Sequence, residues 1–473
     1  MPASTPAVGR RSAAFVGFLV FIELCSGVLQ GGFPVLLPAI GAELGLGPGD
    51  LSTAFSVELL ASGLALPLLA RLGDIFGHRR LIQITVVVTL AGYALVALAD
   101  GFALLIVGRI LSGALACWLP LEFAIVRDRL GTERSGPAIG LLVGALSVGV
   151  SFGALAVGLI DDAASSVRVS LWVLVALLAA CLLVSLFLIP ESEVRSRGRV
   201  DWVGGALVAL GLGLAFDGIA ALASAPGRAG AELLAGAVLL ALFVRYEARI
   251  ADPLIDVRVM SGRTLAPVYW LSMMLGLSLY GSLTSAPTFA ATDPAHGYGW
   301  GLATLGVSAV SMCSALGILA GGLAADRAAR LLGERAVLAV GFALSAAGYA
   351  AIALLHAHPW QFGIGLLANG LGVGLAMSAI PLFIIRRTPA DRTAAATGVY
   401  NTLKALAGGI AGAVFGTVLN RMALPGTPDV PREGGYIAIW AGCAVLCLVA
   451  VAIAAALRAP APAPAPAEHD SPS

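Results

Sequence analysis

The sequence is poor in charge, and poorest of all in lysine. Only 12% of its 473 residues are charged and 59% are hydrophobic, whereas a soluble protein carries about 25% charged residues. Lys404 is the single lysine among 28 basic residues, and the net charge is +1. With no basic excess, the composition excludes a nucleic-acid-binding protein and indicates a membrane protein.

Sequence motifs for metal-dependent catalysis and ATP binding are also missing. No His-Glu-x-x-His and no phosphate-binding loop occurs. The six cysteines lie inside apolar stretches without paired ligand spacing, which favours packing roles over disulfides or metal ligands. They are Cys25, Cys117, Cys181, Cys313, Cys443 and Cys447. We therefore expect no enzyme activity and no cofactor, and any energy that the protein uses would come from an ion gradient rather than from ATP bound by this chain.

Apolar stretches, in contrast, fill the chain, and a spanning helix needs about 20 such residues. We predict fourteen membrane spans, at 13–40, 51–70, 81–99, 102–126, 136–160, 169–189, 202–224, 230–248, 264–290, 301–325, 335–356, 360–385, 393–419 and 435–457. Of the arginines outside the spans, 22 lie in the segments on one side of the membrane and 4 in the loops on the other side. Because positive charge marks the cytoplasmic side, both termini are predicted to be cytoplasmic.

Two regions near the termini invite other interpretations. Arg10 and Arg11 precede an apolar run that is too long for a signal peptide, so we interpret the run as the first span. The Ala/Pro-rich tail 459–473 is predicted to be disordered. The bias toward Arg, Ala and Gly indicates a GC-rich bacterial genome, and hence a bacterial inner or plasma membrane.

Two of the predicted cytoplasmic loops resemble each other. Each has an acid followed four residues later by a base, and the two acids, Asp74 and Asp326, are 252 residues apart. Such a parallel repeat is typical of transporters built from two six-helix halves. The 252 residues between these acids are more than six spans need, and the surplus has the length of one extra two-helix hairpin. We therefore predict an all-α protein arranged 6+2+6, that is, six helices, the hairpin and six further helices. The predicted regions are a cytoplasmic segment 1–12, a first half 13–190, a linker with the hairpin 191–263, a second half 264–458 and the tail 459–473.

The first of these loops resembles the signature Gly-x-x-x-Asp-Arg-x-Gly-Arg-Lys/Arg of the major facilitator superfamily. Asp74, Gly77 and Arg79 match this signature, while Ala70, Ile75 and His78 depart from it. Span 4 resembles a second pattern, Arg-x-x-Gln-Gly, through Arg109 and Gly113. Span 5 is similar to the antiporter pattern of spaced glycines through Gly140, Gly149, Gly153 and Gly158.

The count of fourteen spans and the stretch 246–249 resemble the fourteen-helix drug:proton antiporter branch of that superfamily. This resemblance implies a major facilitator fold and export in exchange for protons. It also implies that the gating loop stabilises one orientation through Gly73, Asp74, Gly77, Arg79 and Arg80, with Asp326 and Arg327 in the second loop. The branch usually carries an acid in span 1 where this chain has Leu29, so the coupling residue must be sought elsewhere.

Six ionisable residues fall inside the predicted spans, where such groups are costly and usually face a cavity or a partner. They are Glu23, Glu58, Arg109, Glu122, Asp217 and Lys404. Glu23 is the preferred proton carrier because span 1 of this fold borders the central cavity, and Gln30 lies two turns along the same face. A structural ion pair is the alternative for Glu23.

An ion pair between Glu58 and Lys404 is a second hypothesis. Spans 2 and 13 correspond to helices that meet across the two halves of the fold, so protonation of Glu58 would break the pair and couple a proton to rocking. Lys404 shares a polar helix face with Asn401. The alternative is that each residue acts with a different partner.

The other three ionisable residues have less certain roles. Arg109 matches the arginine that in the family influences protonation of a nearby acid, and its partner here is unassigned. Glu122 either lines the cavity or pairs with Arg127 or Arg129. Asp217, in the extra hairpin, is predicted to be structural.

The sequence as a whole favours a proton-coupled secondary transporter that exports hydrophobic or amphipathic drugs or antibiotics by alternating access. Expected partners are a small hydrophobic molecule, protons and lipid, with no nucleic acid, and we expect a monomer. Alternatives are an importer or metabolite symporter of the same fold, a membrane-embedded enzyme and a channel. An enzyme would need a nucleophile with a base, or metal ligands, and the two-half repeat argues against a channel.

Overall fold

The chain is almost entirely helical. The computed structural model describes residues 7–130, 135–164, 166–189, 200–222, 225–250, 253, 265–388 and 393–457. The helices are α1 Ala7–Leu44, α2 Pro48–Phe76, α3 His78–Ala97, α4 Phe102–Ser112, α5 Trp118–Leu130, α6 Ser135–Ala164, α7 Val167–Phe187, α8 Trp202–Ala221, α9 Pro226–Glu247, α10 Ala266–Ala291, α11 Thr304–Leu332, α12 Glu334–Leu354, α13 Pro359–Ile385, α14 Thr393–Arg421 and α15 Glu433–Ala456.

Within the described ranges, each of the fourteen predicted spans forms a helical segment, which we call a rod. The fourth rod consists of α4 and α5 joined by a 3₁₀ turn at Gly113–Cys117. Thirteen of the rods are long and apolar enough to cross a membrane, and α10 adds another helix of 26 residues. The predicted tail 459–473, and parts of the predicted terminal and linker regions, lie outside the described residues.

Two separate clusters of buried apolar side chains hold the helices together. One cluster consists mainly of residues between 15 and 189, and the other of residues between 208 and 457. We call α1–α7 the N-terminal bundle and α10–α15 the C-terminal bundle. Helices α8 and α9 pack on each other as a hairpin that contacts α14 and α2.

The two bundles meet along two helix pairs, α2 with α14 and α6 with α11. Small residues allow this approach: a methyl group on Gly409 would lie only 2.5 Å from Cγ of Leu60. Among the described residues, several hydrogen bonds cross between the bundles at one end, which we call the sealed end. They include Ser52 Oγ to Gly412 O (3.0 Å), Asn420 Nδ2 to Asp50 Oδ1 (3.4 Å), Thr304 Oγ1 to Asp161 Oδ2 (2.5 Å) and Leu305 N to Asp162 Oδ1 (3.3 Å).

A glycine junction is repeated in the two bundles. Gly77 joins α2 to α3 with φ +104°, and Gly333 joins α11 to α12 with φ +84°. Side chains other than glycine rarely adopt such values. Gly77 and Gly333 are 256 residues apart, whereas Asp74 and Asp326 are 252 residues apart. Asp326 lies one helical turn further from its junction than Asp74 does.

A short antiparallel hairpin at the sealed end was not predicted. Its strands, β1 Ala423–Leu424 and β2 Thr427–Pro431, follow directly after α14. Tyr298, in the loop after α10, donates a hydrogen bond to the carbonyl oxygen of Pro431 at 2.5 Å. Strands this short carry no alternating pattern that sequence reasoning could detect.

Candidate functional site

Two carboxyl groups meet in the interior of the N-terminal bundle. Glu23 on α1 and Glu122 on α5 are 1% and 0% exposed, and their carboxyl groups are close neighbours. In the described part of the chain no donor reaches either oxygen of Glu122 or Oε2 of Glu23. Two carboxyl groups can share a hydrogen bond only if one of them carries a proton. The two acids thus form one buried carboxyl pair within the N-terminal bundle.

Local packing brings these two acids together. Gly27 of α1 lies against α6, where a methyl group on it would be 2.8 Å from Cα of Gly149. This close contact fixes the rotation of α1. Glu122 follows the 3₁₀ turn Gly113–Cys117, which offsets α5 from the axis of α4. The sequence hypothesis named Glu23 and Glu122 separately, and the structure makes them one pair.

Arg109, on α4, is the second buried charge in the bundle. Its guanidinium forms an ion pair with Glu58 of α2 and lies over the ring of Phe33, 3.5 Å from the centroid. The rings of Tyr93 and Phe55 are 5.9 Å and 6.0 Å from the same carbon. An arginine 1% exposed is thus stabilised by one carboxylate and by aromatic faces. Glu58 is the acid partner that sequence reasoning left unassigned.

The predicted ion pair between Glu58 and Lys404 was wrong for this conformation. Helices α2 and α14 do meet, as expected. Glu58, however, belongs to the face of α2 that packs on the 3₁₀ turn, where a methyl group on Gly113 would lie 3.0 Å from its carbonyl oxygen. The carboxylate therefore remains within the N-terminal bundle and pairs with Arg109.

Lys404 instead lies near aromatic side chains. Its Nζ is 5.2 Å from the centroid of Tyr400, and Asn401, on the same helix, donates to the carbonyl oxygen of Thr397 at 3.4 Å. Gln30 of α1 is exposed, and its amide donates to Ser26 Oγ at 3.0 Å. Lys404, Asn401 and Gln30 therefore lie within the middle parts of their helices rather than at the helix ends.

The gating loop makes contacts within its own bundle. Asp74 and His78 are joined across 3.2 Å, and the other ring nitrogen of His78 is 3.7 Å from Asp128 at the end of α5. The expected contact of Asp74 with a helix of the other half is therefore absent among the described residues in this conformation. Gly73 is buried against Leu121 of α5, and the side chain of Arg80 is exposed.

The second gating loop, with Asp326 and Arg327, is more exposed than the first. Asp326 pairs with Arg330 at 2.9 Å, one turn along the same helix. Arg327 is exposed. Both side chains of the Asp326 pair are more than 60% exposed, so this contact contributes little to stability.

The equivalence of Arg79 and Arg335 was missed by sequence reasoning. Arg79 of α3 donates to the carbonyl oxygen of Leu186 at the end of α7 at 2.6 Å. Arg335, at the same place in α12, donates to the carbonyl oxygen of Ala455 at the end of α15. Each arginine lies two residues after a junction glycine, so Gly-x-Arg at the 256-residue spacing was the signal that could have found them.

The charges beside these arginines are inverted between the bundles. The first residue of α3, His78, faces an acid at the end of α5. The first residue of α12, Glu334, instead forms ion pairs with Arg386 and Arg387 after α13, both at 2.7 Å. The repeat therefore preserves the positions of these contacts and changes their sign.

Three of the four antiporter-type glycines pack helices closely. Gly149 and Gly153 lie against α1, and a methyl group on Gly153 would be 2.6 Å from Cα of Val28. Gly158 lies against Ser308 of α11 in the contact between bundles, while Gly140 has open space around it. The run 149–153 also has the spacing Gly-x-Ser-x-Gly, but it lies within α6 and Ser151 donates to the carbonyl oxygen of Ser147 at 2.8 Å.

Asp217, in the extra hairpin, belongs to an exposed ion pair. Asp217 forms an ion pair with Arg228, which also contacts Glu232 at 2.6 Å. At the opposite end, Tyr246 of α9 donates to Asp201, the N-cap of α8, at 3.2 Å. These contacts join the two ends of the hairpin helices and agree with a structural role for Asp217.

Comparison with known proteins identifies the family. A family model described as Major Facilitator Superfamily matches residues 19–413. A triacylglyceride transporter of Mycolicibacterium hassiacum is 29% identical over 69% of this chain and 63% of its own length. The aligned part thus spans less than two thirds of that relative.

Two further relatives are matched over more of their length. A probable actinorhodin transporter of Streptomyces coelicolor is 29% identical over 88% of this chain and 74% of its own. An uncharacterized transporter of Escherichia coli, YebQ, is 25% identical over 92% and 94%. Among solved structures, the nucleoside transporter NupG is similar with a TM-score of 0.66 and 14% identity, over 94% of this chain and 98% of its own. At that identity the likeness concerns the fold alone.

Proposed function

Because the chain belongs to the major facilitator superfamily, and is a multi-pass membrane transporter rather than an enzyme, we propose that it exports hydrophobic or amphipathic compounds in exchange for protons. Export would proceed by alternating access, with the central space opened to each side in turn. The pairing of the buried carboxyl groups of Glu23 and Glu122 is the observation that carries this proposal.

The carboxyl pair suits a proton site better than Glu58 does. Glu58 is the counter-ion of Arg109, so protonating it would leave a buried guanidinium without a partner, at a cost of several kcal/mol. Glu23 and Glu122 have no cation partner in the described residues. Two adjacent buried carboxylates repel each other, and this repulsion disfavours ionisation of both at once. The pair would therefore bind one proton and release it when the surroundings change.

The proposed topology is 6+2+6 with both termini in the cytoplasm. The alternation of arginines between spans supports this orientation, and the two apolar clusters support two halves. With this threading the sealed end faces outward, so the bundles are closed toward the exterior. The gating loops would then lie on the cytoplasmic side, where Asp74 and Asp326 have no contact with the opposite bundle in this state.

Within this proposal we also assign the protein to the fourteen-helix drug:proton antiporter branch. The hairpin α8–α9 and the glycine contacts of α6 support that assignment. The similarity to a probable actinorhodin transporter supports export of a bacterial natural product or drug. We place the protein in a bacterial plasma membrane, as a monomer, with the proton gradient in place of any cofactor.

Reconstitution into liposomes tests the proposal. Purified protein is placed in liposomes with a pH-sensitive dye inside, and movement of ethidium and of an anthraquinone dye is followed under imposed pH gradients of both signs. We expect gradient-dependent, saturable transport against the proton flow, and loss of this dependence in Glu23→Gln and Glu122→Gln. Transport of dye in the same direction as protons would instead favour a symporter, and transport unaffected by the gradient would overturn the proposal.

A further inference from the structure

Lys404 is a cation inside the helix bundle without a counter-ion in the described part of the chain. It is the only lysine of the protein, and it is half-buried on α14. The other buried cation of the bundles, Arg109, already has Glu58 as its partner. An ammonium group held away from bulk water is unfavourable unless an opposite charge approaches it. The position therefore calls for a negative charge that the described protein does not itself supply.

One aromatic ring lies beside this ammonium group, and two further rings follow along the contact of the bundles. The ring of Tyr400 lies one turn before it, with 5.2 Å between Nζ and the ring centroid. Tyr280 of α10 packs on Gly408, one turn further along α14, and is a neighbour of Tyr400. From the N-terminal bundle, the ring of Phe55 lies 6.3 Å from that of Tyr280. Lys404 thus lies at the edge of a row of aromatic rings that begins with Tyr400.

The amide side chain of Asn401, which can form hydrogen bonds, lies beside Lys404. Asn401 is half-buried and directs its amide nitrogen toward the carbonyl oxygen of Thr397 at 3.4 Å. Asn401 and Lys404 are three residues apart and share one helix face. We refer to Lys404, Asn401, Tyr400, Tyr280 and Phe55 as the Lys404 cluster. It combines one positive charge, one amide and three aromatic rings at the contact of the two bundles.

We propose that the Lys404 cluster binds the anionic group of an aromatic substrate. A carboxylate or phenolate would lie against Lys404, and the attached ring system would pack on Tyr400, Tyr280 and Phe55. This inference rests on the proposed export function and narrows its substrate class, from amphipathic compounds in general to aromatic acids. Charge-assisted bonds are the strong ones in such sites, so the ammonium group selects the acid over its neutral analogue.

Lys404 and the proton pair belong to different bundles. Glu23 and Glu122 lie within the N-terminal bundle, whereas Lys404 is on α14 of the C-terminal bundle. Direct charge competition between the proton and the anion is therefore not required. Each ligand would favour a different orientation of the two bundles, and exchange would follow from that opposition.

Equilibrium binding to the full chain in nanodiscs tests the inference. The ligands are an anthraquinone carboxylate and its methyl ester, which share a ring system and differ in charge. The nanodiscs are made once from a zwitterionic lipid and once with an anionic lipid added. The proteins are the wild type, Lys404→Met, Lys404→Gln and Lys404→Arg, and binding is measured without any pH gradient.

The wild type is expected to bind the acid at least tenfold more tightly than the ester, a ratio that corresponds to about 1.4 kcal/mol. Lys404→Met and Lys404→Gln should reduce the ratio to about one, whereas Lys404→Arg should retain most of it. An unchanged ratio in the correctly folded Met and Gln variants overturns the inference. If the acid binds tightly only when anionic lipid is absent, a lipid headgroup is the occupant of Lys404, which also overturns it.

Failure of the proposed ligand site at Lys404 can be distinguished from failure of the proposed export function. Binding that depends on Lys404, without transport driven by a pH gradient, would sink proton-coupled export and leave the ligand site standing. Gradient-driven transport with no preference for the acid would sink the ligand site and leave export standing.

Discussion

The carboxyl groups of Glu23 and Glu122 face each other in the bundle interior, and no basic side chain of the described chain is paired with either. Arg109, also in the N-terminal bundle, has its own carboxylate in Glu58. The bundle therefore contains two kinds of acid: Glu58, which is balanced by a cation, and a carboxyl pair with no cation partner among the described residues. This difference underlies the predictions that follow.

Replacing one acid of the pair is expected to stabilise the fold while abolishing proton coupling. In Glu122→Gln the amide can donate to Glu23 and removes the repulsion between two buried carboxyls. The melting temperature in detergent should be equal to or higher than that of the wild type. Gradient-driven transport should nevertheless be lost. A Glu122→Gln variant that transports normally under a pH gradient would contradict the role of the pair.

Breaking the ion pair of Arg109 should have the opposite effect on stability. Glu58→Gln leaves a buried guanidinium without a counter-charge, and we expect a loss of about 3–5 kcal/mol. The double variant Glu58→Gln/Arg109→Gln should lose less than the sum of the two single changes. The control is Glu58→Gln/Lys404→Met, whose effects should add, because these residues are not paired. Non-additivity in the control would revive the pair inferred from sequence.

The junction glycines should resist substitution. Gly77 has φ +104° and Gly333 has φ +84°, where a side chain costs of order 1–3 kcal/mol. We expect Gly77→Ala and Gly333→Ala each to lower the melting temperature. The matched control is Gly213→Ala in α8, where a methyl group meets nothing within 4 Å. This helical change should be neutral or stabilising, and equal effects at all three positions would argue against backbone strain.

The hydrogen bonds of the sealed end should hold the bundles in the observed orientation. Thr304→Val removes the donor to Asp161, and Asp162→Asn weakens the interaction with the first turn of α11. Spin labels at the exposed Ala42 and Ala295, in a Cys313→Ala background, report the separation of the bundles at this end. We expect both variants to populate longer distances. The control is Asp217→Asn in the hairpin, which should leave the distances as in the wild type.

Much of the fold follows from hydrophobicity alone. All fourteen predicted spans are helices because an apolar run of about 20 residues has one low-energy structure in a bilayer. The ends of the helices were less predictable. Helix α2 continues to Phe76, through most of the expected loop, because the chain reverses only where Gly77 adopts a positive φ.

The sequence was sufficient to identify the residues of the site, but not to predict which of them contact each other. Burial cost alone selected Glu23, Glu58, Arg109 and Glu122, since few ionisable residues occur in the spans. The pairings depend on the rotation of each helix, which close glycine contacts such as that between Gly27 and Gly149 determine. Hydrophobic periodicity in a helix apolar on all sides does not report that rotation.

Proton release on ligand binding tests the central claim most directly. Wild-type protein in weakly buffered detergent solution near neutral pH receives the dye that it extrudes from liposomes, and the pH is recorded. We predict release of about one proton per bound dye, because binding and protonation oppose each other. Glu23→Gln and Glu122→Gln should release none while still binding dye. Equal proton release from the wild type and both variants would contradict the carboxyl pair as the exchange site.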